Sequence, residues 1–247
     1  MPETGFRPKP REDRTTWQTM RATFRDGARL VRRSRMLALF FGIAFFWGAA
    51  SEGFDRLSDA HLLVNFAFPA LGDLQPVAWF GVLGVAGSLI NLAANELFRK
   101  RLEAITRVPS ASAKALLLIN GLMIASVIVF ALVGEFWPAV GAMLLYGVCR
   151  SMGGPLYDAW LVQHIDPSVR ATVLSMRGQT DAIGQIAGGP GVGWIGHAVS
   201  IRAAIAAAGL LLSPALALYA RTIRQDRRAS EAGTQPEPGL IERVEAM

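Results

Sequence analysis

Apolar residues gather into six long runs separated by shorter polar or basic connections. The first is "MLALFFGIAFFWGAAS", Met36 to Ser51, and the second is "PVAWFGVLGVAGSLINLAA", Pro76 to Ala94, closed by Glu96 and then Arg99, Lys100 and Arg101. The third, "ALLLINGLMIASVIVFALVG" from Ala115 to Gly134, is uninterrupted. A fourth run extends from Phe136 to about Gln163 and is broken by Arg150 and Asp158, while the fifth, roughly Ala171 to Val199, carries Arg177, Asp181 and many glycines. The sixth is "AAIAAAGLLLSPALALYA", Ala203 to Ala220. Crossing a hydrocarbon core of about 30 Å takes about 20 residues of helix, and all six runs reach that length or nearly do. The pattern predicts an all-α integral membrane protein with six transmembrane helices over 36–222. A basic amphipathic linker at 1–35 and a disordered polar tail at 223–247 flank them.

Composition agrees with that pattern. Hydrophobic residues make up 52% of the 247 and charged residues 18%, and the mean hydropathy is +0.33, which is too apolar for most soluble folds. Basic residues orient the spans, because they are retained on the cytoplasmic side of short loops. Ten of the 25 Lys and Arg lie in residues 1–35, five in the connection from Arg99 to Lys114, and five after Ala220, whereas the alternate connections hold only Arg56 and Arg202. Both termini and every second loop are therefore expected inside a cytoplasmic (inner) membrane, in a multi-pass arrangement. An even number of spans independently requires the termini to share a side. Cys149 is the one cysteine, so no intrachain disulfide forms, and its place in the fourth run makes it a small buried apolar residue.

Residues 14–35 place Trp17, Met20, Phe24, Ala28 and Val31 on one helical stripe and Arg21, Arg25, Arg29 and Arg32 on another. This reads as an interfacial helix on an anionic leaflet, or as a solvated basic linker. Arg32 and Arg33 followed by an apolar stretch and "GAAS" also fit a twin-arginine export signal, but five further hydrophobic segments argue against a cleaved, soluble product.

The stretch "GGPGVGWIG" contains a literal G-x-G-x-x-G at Gly191, Gly193 and Gly196. A dinucleotide-binding loop needs a preceding strand and an acidic residue about 20 positions on, and neither is present. Small residues let membrane helices approach closely, and Gly184 to Gly188 and Gly189 to Gly193 are both G-x-x-x-G pairs, so packing is the expected role. Pro190 removes a backbone donor in mid-span and is expected to bend the fifth helix, as are Gly153, Gly154 and Pro155 in the fourth.

Ionisable groups inside spans are costly and are functional candidates by default. Arg150 lies about 13 residues from the inner end of the fourth span and Asp181 about 11 from that of the fifth, so at about 1.5 Å per residue both sit about 15–20 Å deep. They are expected to pair, either as a switch or as a static ion pair. Asp158 and Tyr157 lie nearer the cytoplasmic end, beside Trp160, which reads as part of an interfacial belt. Glu52, Asp55 and Arg56 are expected to cap the outer end of the first span, with Glu52 reaching a central cavity and Asp55 and Arg56 open to a simple helix-end ion pair. Gln179 and Gln185 bracket Asp181, to bond a substrate or a neighbouring helix. His61, His164 and His197 are scattered at span ends, and neither an H-E-x-x-H spacing nor a G-x-S-x-G motif occurs. No cofactor, metal or nucleic-acid partner is expected, and a membrane enzyme is the weakest of the readings.

Three stretches in order carry a resemblance: "WGAASEGFDRLSDAHLL" from Trp47 to Leu63, the basic turn "NELFRKRLE" after the second run, and "PLYDAWLVQHIDPSVRATVLSMRGQTDAIGQIAGGPGVGWIG" from Pro155 to Gly196. Together they look like the carboxy-terminal six helices of a major facilitator superfamily transporter, preceded by its central cytoplasmic loop. The resemblance covers about residues 30–222. It implies two inverted three-helix repeats, and a complete transporter in which two six-helix halves rock around a midplane site. It also implies secondary active transport of a small molecule, drug-like compounds among them, by export or proton-coupled exchange. "NELFRKRLE" is a degenerate form of the family's basic loop, and the first half is missing from this sequence. The expected partners are accordingly membrane lipids, a small-molecule substrate, protons, and either a separate amino-terminal half or a second copy. The alternative is a non-transporting regulatory or assembly half.

Overall fold

The computed structural model describes residues 34–70, 75, 77–165 and 167–231, and every regular element among them is helical. The basic linker and the end of the polar tail lie outside the described residues. Helix α1 is Arg35–Asn65, α2 Ala78–Thr106, α3 Pro109–Leu132 and α4 Phe136–Val162. A 3-10 turn at Pro167–Val169 leads into α5, Arg170–Ala198, followed by α6, Ile201–Leu211, and α7, Ser213–Glu231.

Local chemistry sets these boundaries. The Ser34 side chain accepts the Leu37 N–H at 3.3 Å and opens α1. Pro109 occupies the first turn of α3, where its missing N–H costs nothing. The sixth apolar run is divided at Leu212, because Pro214 has no N–H to continue the ladder back to Leu210. Helix α7 continues past Ala220 to Glu231, so the polar tail begins as helix.

Among the described residues four segments are long and apolar enough to cross a membrane: α1, α2, α3 and the α6–α7 rod from Ile201 to Arg224. Helices α4 and α5 have the length, but Arg150, Asp158, Arg177, Asp181 and abundant glycine lower their apolar character. Helix α1 is twice as long as its apolar run implied. Glu52, Asp55 and Arg56 do not end it: they lie on one face, with Arg56 paired to Glu52 at 2.8 Å, while Phe54 and Leu62 are buried on another. A charged face on an otherwise buried helix imitates a helix end in sequence.

The core lies among α1, α3, α4 and the α6–α7 rod, around Phe40, Phe130, Trp160, Ile205 and Tyr219. Trp160 is only 1% exposed, stacked edge-on against Phe40 with ring centres 4.3 Å apart and tilted against Tyr219 at 5.8 Å. It is a core residue and not part of an interfacial belt, because α7 folds over it.

Helices α1 and α5 share the most extensive packing, and glycine makes their approach possible. A Cβ at Gly48 would collide with the Asp181 carbonyl, and one at Gly184 with the Phe45 carbonyl. One at Gly188 would lie 2.8 Å from the Ala49 Cα. Only glycine allows the two backbones to meet there. Gly153 and Gly189 face side chains, Ile119 and the Glu52 stem, whereas Gly154 and Gly193 face open space. Both α4 and α5 remain helical through Pro155 and Pro190.

Helix α2 is peripheral and rests on α4. Asn95 donates to Ser151 Oγ at 3.1 Å and to the Asn91 carbonyl at 2.8 Å, while Asn91 lies opposite Gly147. Side-chain hydrogen bonds of this kind hold helices together in lipid, where no hydrophobic effect acts between them.

Candidate functional site

Charged side chains from α1, α4 and α5 converge on one flank of the bundle. The Arg150 guanidinium, from the middle of α4, reaches across to α1 and donates to Asp55 Oδ1 at 2.5 Å. It also lies 3.4 Å from the Tyr146 hydroxyl, one turn back, and its centre sits 5.1 Å above the Trp47 ring. The guanidinium is therefore held by a carboxylate, a phenol and an aromatic face. Both members of the pair are about two-fifths exposed or less, at 35% for Arg150 and 42% for Asp55.

A second pair lies nearer the connection between α4 and α5. Arg177 Nε stands 3.6 Å from Asp158 Oδ1, with its guanidinium 5.3 Å over the Tyr157 ring. Tyr157 is itself buried and donates to the Phe40 carbonyl at 2.6 Å, anchoring α4 to α1. Asp181, one turn beyond Arg177 on α5, accepts from Gln185 Nε2 at 3.0 Å through one oxygen. Its other oxygen is buried with no hydrogen-bond partner among the described residues. No described cation lies within 4.0 Å of it.

Arg150 therefore pairs with Asp55 and not with Asp181. The two depths are similar, but α4 packs on α2 and α3 while α5 packs on α1 and α6, and the guanidinium is taken by Asp55 of α1. In sequence Asp55 looks like a helix-end residue, because a separation of 95 residues hides the contact that the fold makes.

Between α1 and α5 runs an open groove of about 580 Å³, lined by Glu52, Arg56, Gln185, Gly189, Pro190 and Gly193 among others. Glu52 and Gln185 thus share a surface, whereas Gln179 is exposed and makes no described hydrogen bond. A smaller cavity lies under Trp47, lined by Asn120, Gly153, Gly154, Tyr157, Arg177 and Tyr219. Asn120 is 2% exposed, and its Oδ1 has no hydrogen-bond partner among the described residues.

Sequence reasoning missed Asn91, Asn95, Asn120 and Ser151. A signal existed in the i, i+4 spacing of Asn91 and Asn95 inside an apolar run, which puts both amides on one face. Neither protein-family models nor curated proteins give any match to this chain.

Proposed function

We propose that the chain is a membrane-embedded half of a secondary active transporter of the major facilitator type. In this reading it has six spans, counting α6 and α7 as one, arranged as two inverted three-helix repeats. Both termini lie on the cytoplasmic side. The half moves a small molecule, drug-like compounds included, by alternating access. One observation carries the reading: Asp55, Arg150, Asp158, Arg177 and Asp181 are gathered on the flank where α1, α4 and α5 meet, in a bundle whose remaining helices are apolar. Ionisable groups set among apolar helices are retained where they bind or switch, and these are only partly exposed. Asp181, with one oxygen unpaired, is the group that takes up a proton or a cationic substrate, and the Arg150–Asp55 and Arg177–Asp158 pairs are the contacts that exchange between states.

A second reading is a non-transporting or regulatory half that needs a separate six-helix partner. Such a partner would cover the apolar faces of α2 and α5, where Val85, Leu89, Leu92, Ile186 and Trp194 are each more than 60% exposed. Proteoliposomes holding the full chain and a trapped pH-sensitive dye separate the two. A panel of fluorescent drug-like compounds is added under an imposed pH gradient. The transport reading expects compound-dependent proton flux that Asp181→Asn abolishes. Flux absent from the chain alone and restored by a co-reconstituted six-helix membrane protein supports the second reading. Flux unchanged in Asp181→Asn removes the role given to that residue.

A further inference from the structure

At the end of the bundle opposite the basic connections, four polar groups form one directed chain. Arg202, in the first turn of α6, donates from Nε to Asn65 Oδ1 at 3.1 Å. Asn65, the last residue of α1, donates from Nδ2 to His61 Nδ1 at 3.1 Å. His61 in turn donates from Nε2 to the Phe130 carbonyl of α3 at 3.0 Å. Arg202 Nη1 also donates to the Leu132 and Val133 carbonyls, 3.2 and 3.1 Å away. Carbonyls in the last turn of a helix have no intrahelical donor, so the end of α3 is closed by side chains from α1 and α6. His61 is fully buried, with the Phe66 and Phe130 rings edge-on at 5.1 and 4.8 Å.

The polarity of this chain admits one protonation state. Arginine only donates, so Asn65 must present its oxygen to Arg202 and its amide nitrogen to His61. His61 Nδ1 must then be a bare acceptor, and the ring is neutral with its proton on Nε2. Protonation puts a second N–H at Nδ1, facing the Asn65 NH2 group. Flipping the Asn65 amide restores that contact but turns the NH2 group onto Arg202. No orientation of Asn65 satisfies both neighbours once His61 is charged. The Phe130 bond survives protonation, and so do the bonds from Arg202 to α3. Arg202 keeps the Leu132 and Val133 carbonyls, whereas a buried imidazolium has no other acceptor for its Nδ1–H, so Asn65 turns its oxygen to His61 and the polar link that fails is the one from α1 to α6.

Charge acts in the same direction. Arg202 is the described charged group set against the imidazole. Helix α3 presents a carbonyl and an aromatic ring there, and Asp55, Arg56 and Asp59 are exposed on the other face of α1. A second positive charge in this dry network is opposed by the guanidinium and by no nearby carboxylate.

We propose that His61 is a proton-binding site at the outer end of the bundle, whose occupation releases α1 from α6. Membrane orientation decides only which side the site faces; the donors and acceptors are the same in either orientation and whether or not the chain transports. Histidine is the side chain suited to charge between about pH 8 and about pH 5.

The test uses the full chain in lipid nanodiscs with Cys149→Ala and a reporter, Ala204→Cys, at a fully buried position on α6. Its thiol labelling rate is divided by that of an exposed control, Leu63→Cys, at the same pH, which removes the titration of the thiol itself. The ratio is expected to rise about tenfold between about pH 8 and about pH 5. His61→Gln retains one donor and one acceptor in a neutral group, and should hold the ratio flat. Asn65→Asp accepts from both a charged His61 and Arg202, and should also abolish the acid-dependent rise. A ratio that never rises, or that rises equally in His61→Gln, overturns the proposal. Nitrogen NMR of the labelled imidazole gives an independent check, and a proton found on Nδ1 at neutral pH rejects the direction of the chain.

Discussion

Arg150 and Asp55, 95 residues apart, meet at 2.5 Å across the interface of α4 and α1. The contact joins two helices that are not consecutive, and it lies over the Trp47 ring. Arg150 is therefore positioned by α1, and a change in the angle between α1 and α4 must break or re-form this pair. A double-mutant cycle with Arg150→Ala and Asp55→Ala, read as thermal stability in detergent, should give a coupling of about 1 kcal/mol, because both groups are partly exposed. The cycle of Arg150→Ala with Asp181→Ala should be additive within about 0.5 kcal/mol. The opposite ranking would put Asp181 beside the guanidinium.

The glycines of α5 are not equivalent. Gly184 meets the backbone of α1, which cannot rotate away as a side chain would, while Gly193 faces open space. Gly184→Ala should destabilise the chain by about 1–3 kcal/mol by forcing α1 and α5 apart. Gly193→Ala should be neutral or slightly stabilising, since alanine is the better helix former. Equal losses in the two variants would mean that α5 packs through its other face.

Six apolar runs, their order and the breaks near Gly134 and Val199 are legible in the chain, because a lipid-facing helix must be apolar around most of its circumference. The uninterrupted run from Ala115 to Gly134 corresponds closely to α3. Where charge enters a helix on one face only, the pattern misleads: Glu52, Asp55 and Arg56 imitate an end, yet α1 continues to Asn65. Which ionisable groups pair is less legible still. Depth along a helix can be counted from its ends, but rotation about its axis and the identity of its neighbour depend on packing by Gly48, Gly184 and Gly188. Asn65 and Arg202 show the same limit, since each is an ordinary helix-end residue until the ends of α1 and α6 are brought together.

Trp160 and Trp137 lie on the same helix in opposite circumstances. Trp160 is 1% exposed and Trp137 is 60% exposed. Trp160→Ala removes an indole packed against Phe40 and Tyr219 and should cost about 3–5 kcal/mol, read as the loss of thermal stability in detergent. Trp137→Ala should cost less than about 1 kcal/mol, as expected for an exposed position. Similar costs would show that Trp160 faces lipid after all.

The direction of insertion rests on a different kind of evidence from the fold. Gln163, just after α4, donates to the Thr106 carbonyl at the end of α2, so the connections from α2 to α3 and from α4 to α5 share one end of the bundle, and that from α3 to α4 is a helix length away. The basic residues Arg99, Lys100, Arg101, Arg107 and Lys114 mark the first end, whereas the connection after α3 holds only Glu135. Basic residues resist translocation, so the first end should be cytoplasmic. Val108→Cys and Glu135→Cys report the two ends from exposed positions, each in a Cys149→Ala background that removes the native thiol. In intact cells a membrane-impermeant thiol reagent should modify Glu135→Cys and spare Val108→Cys, and permeabilisation should make both reactive. If Val108→Cys reacts first, the helical bundle can stand while its orientation reverses, and His61 would then sample the cytoplasmic side.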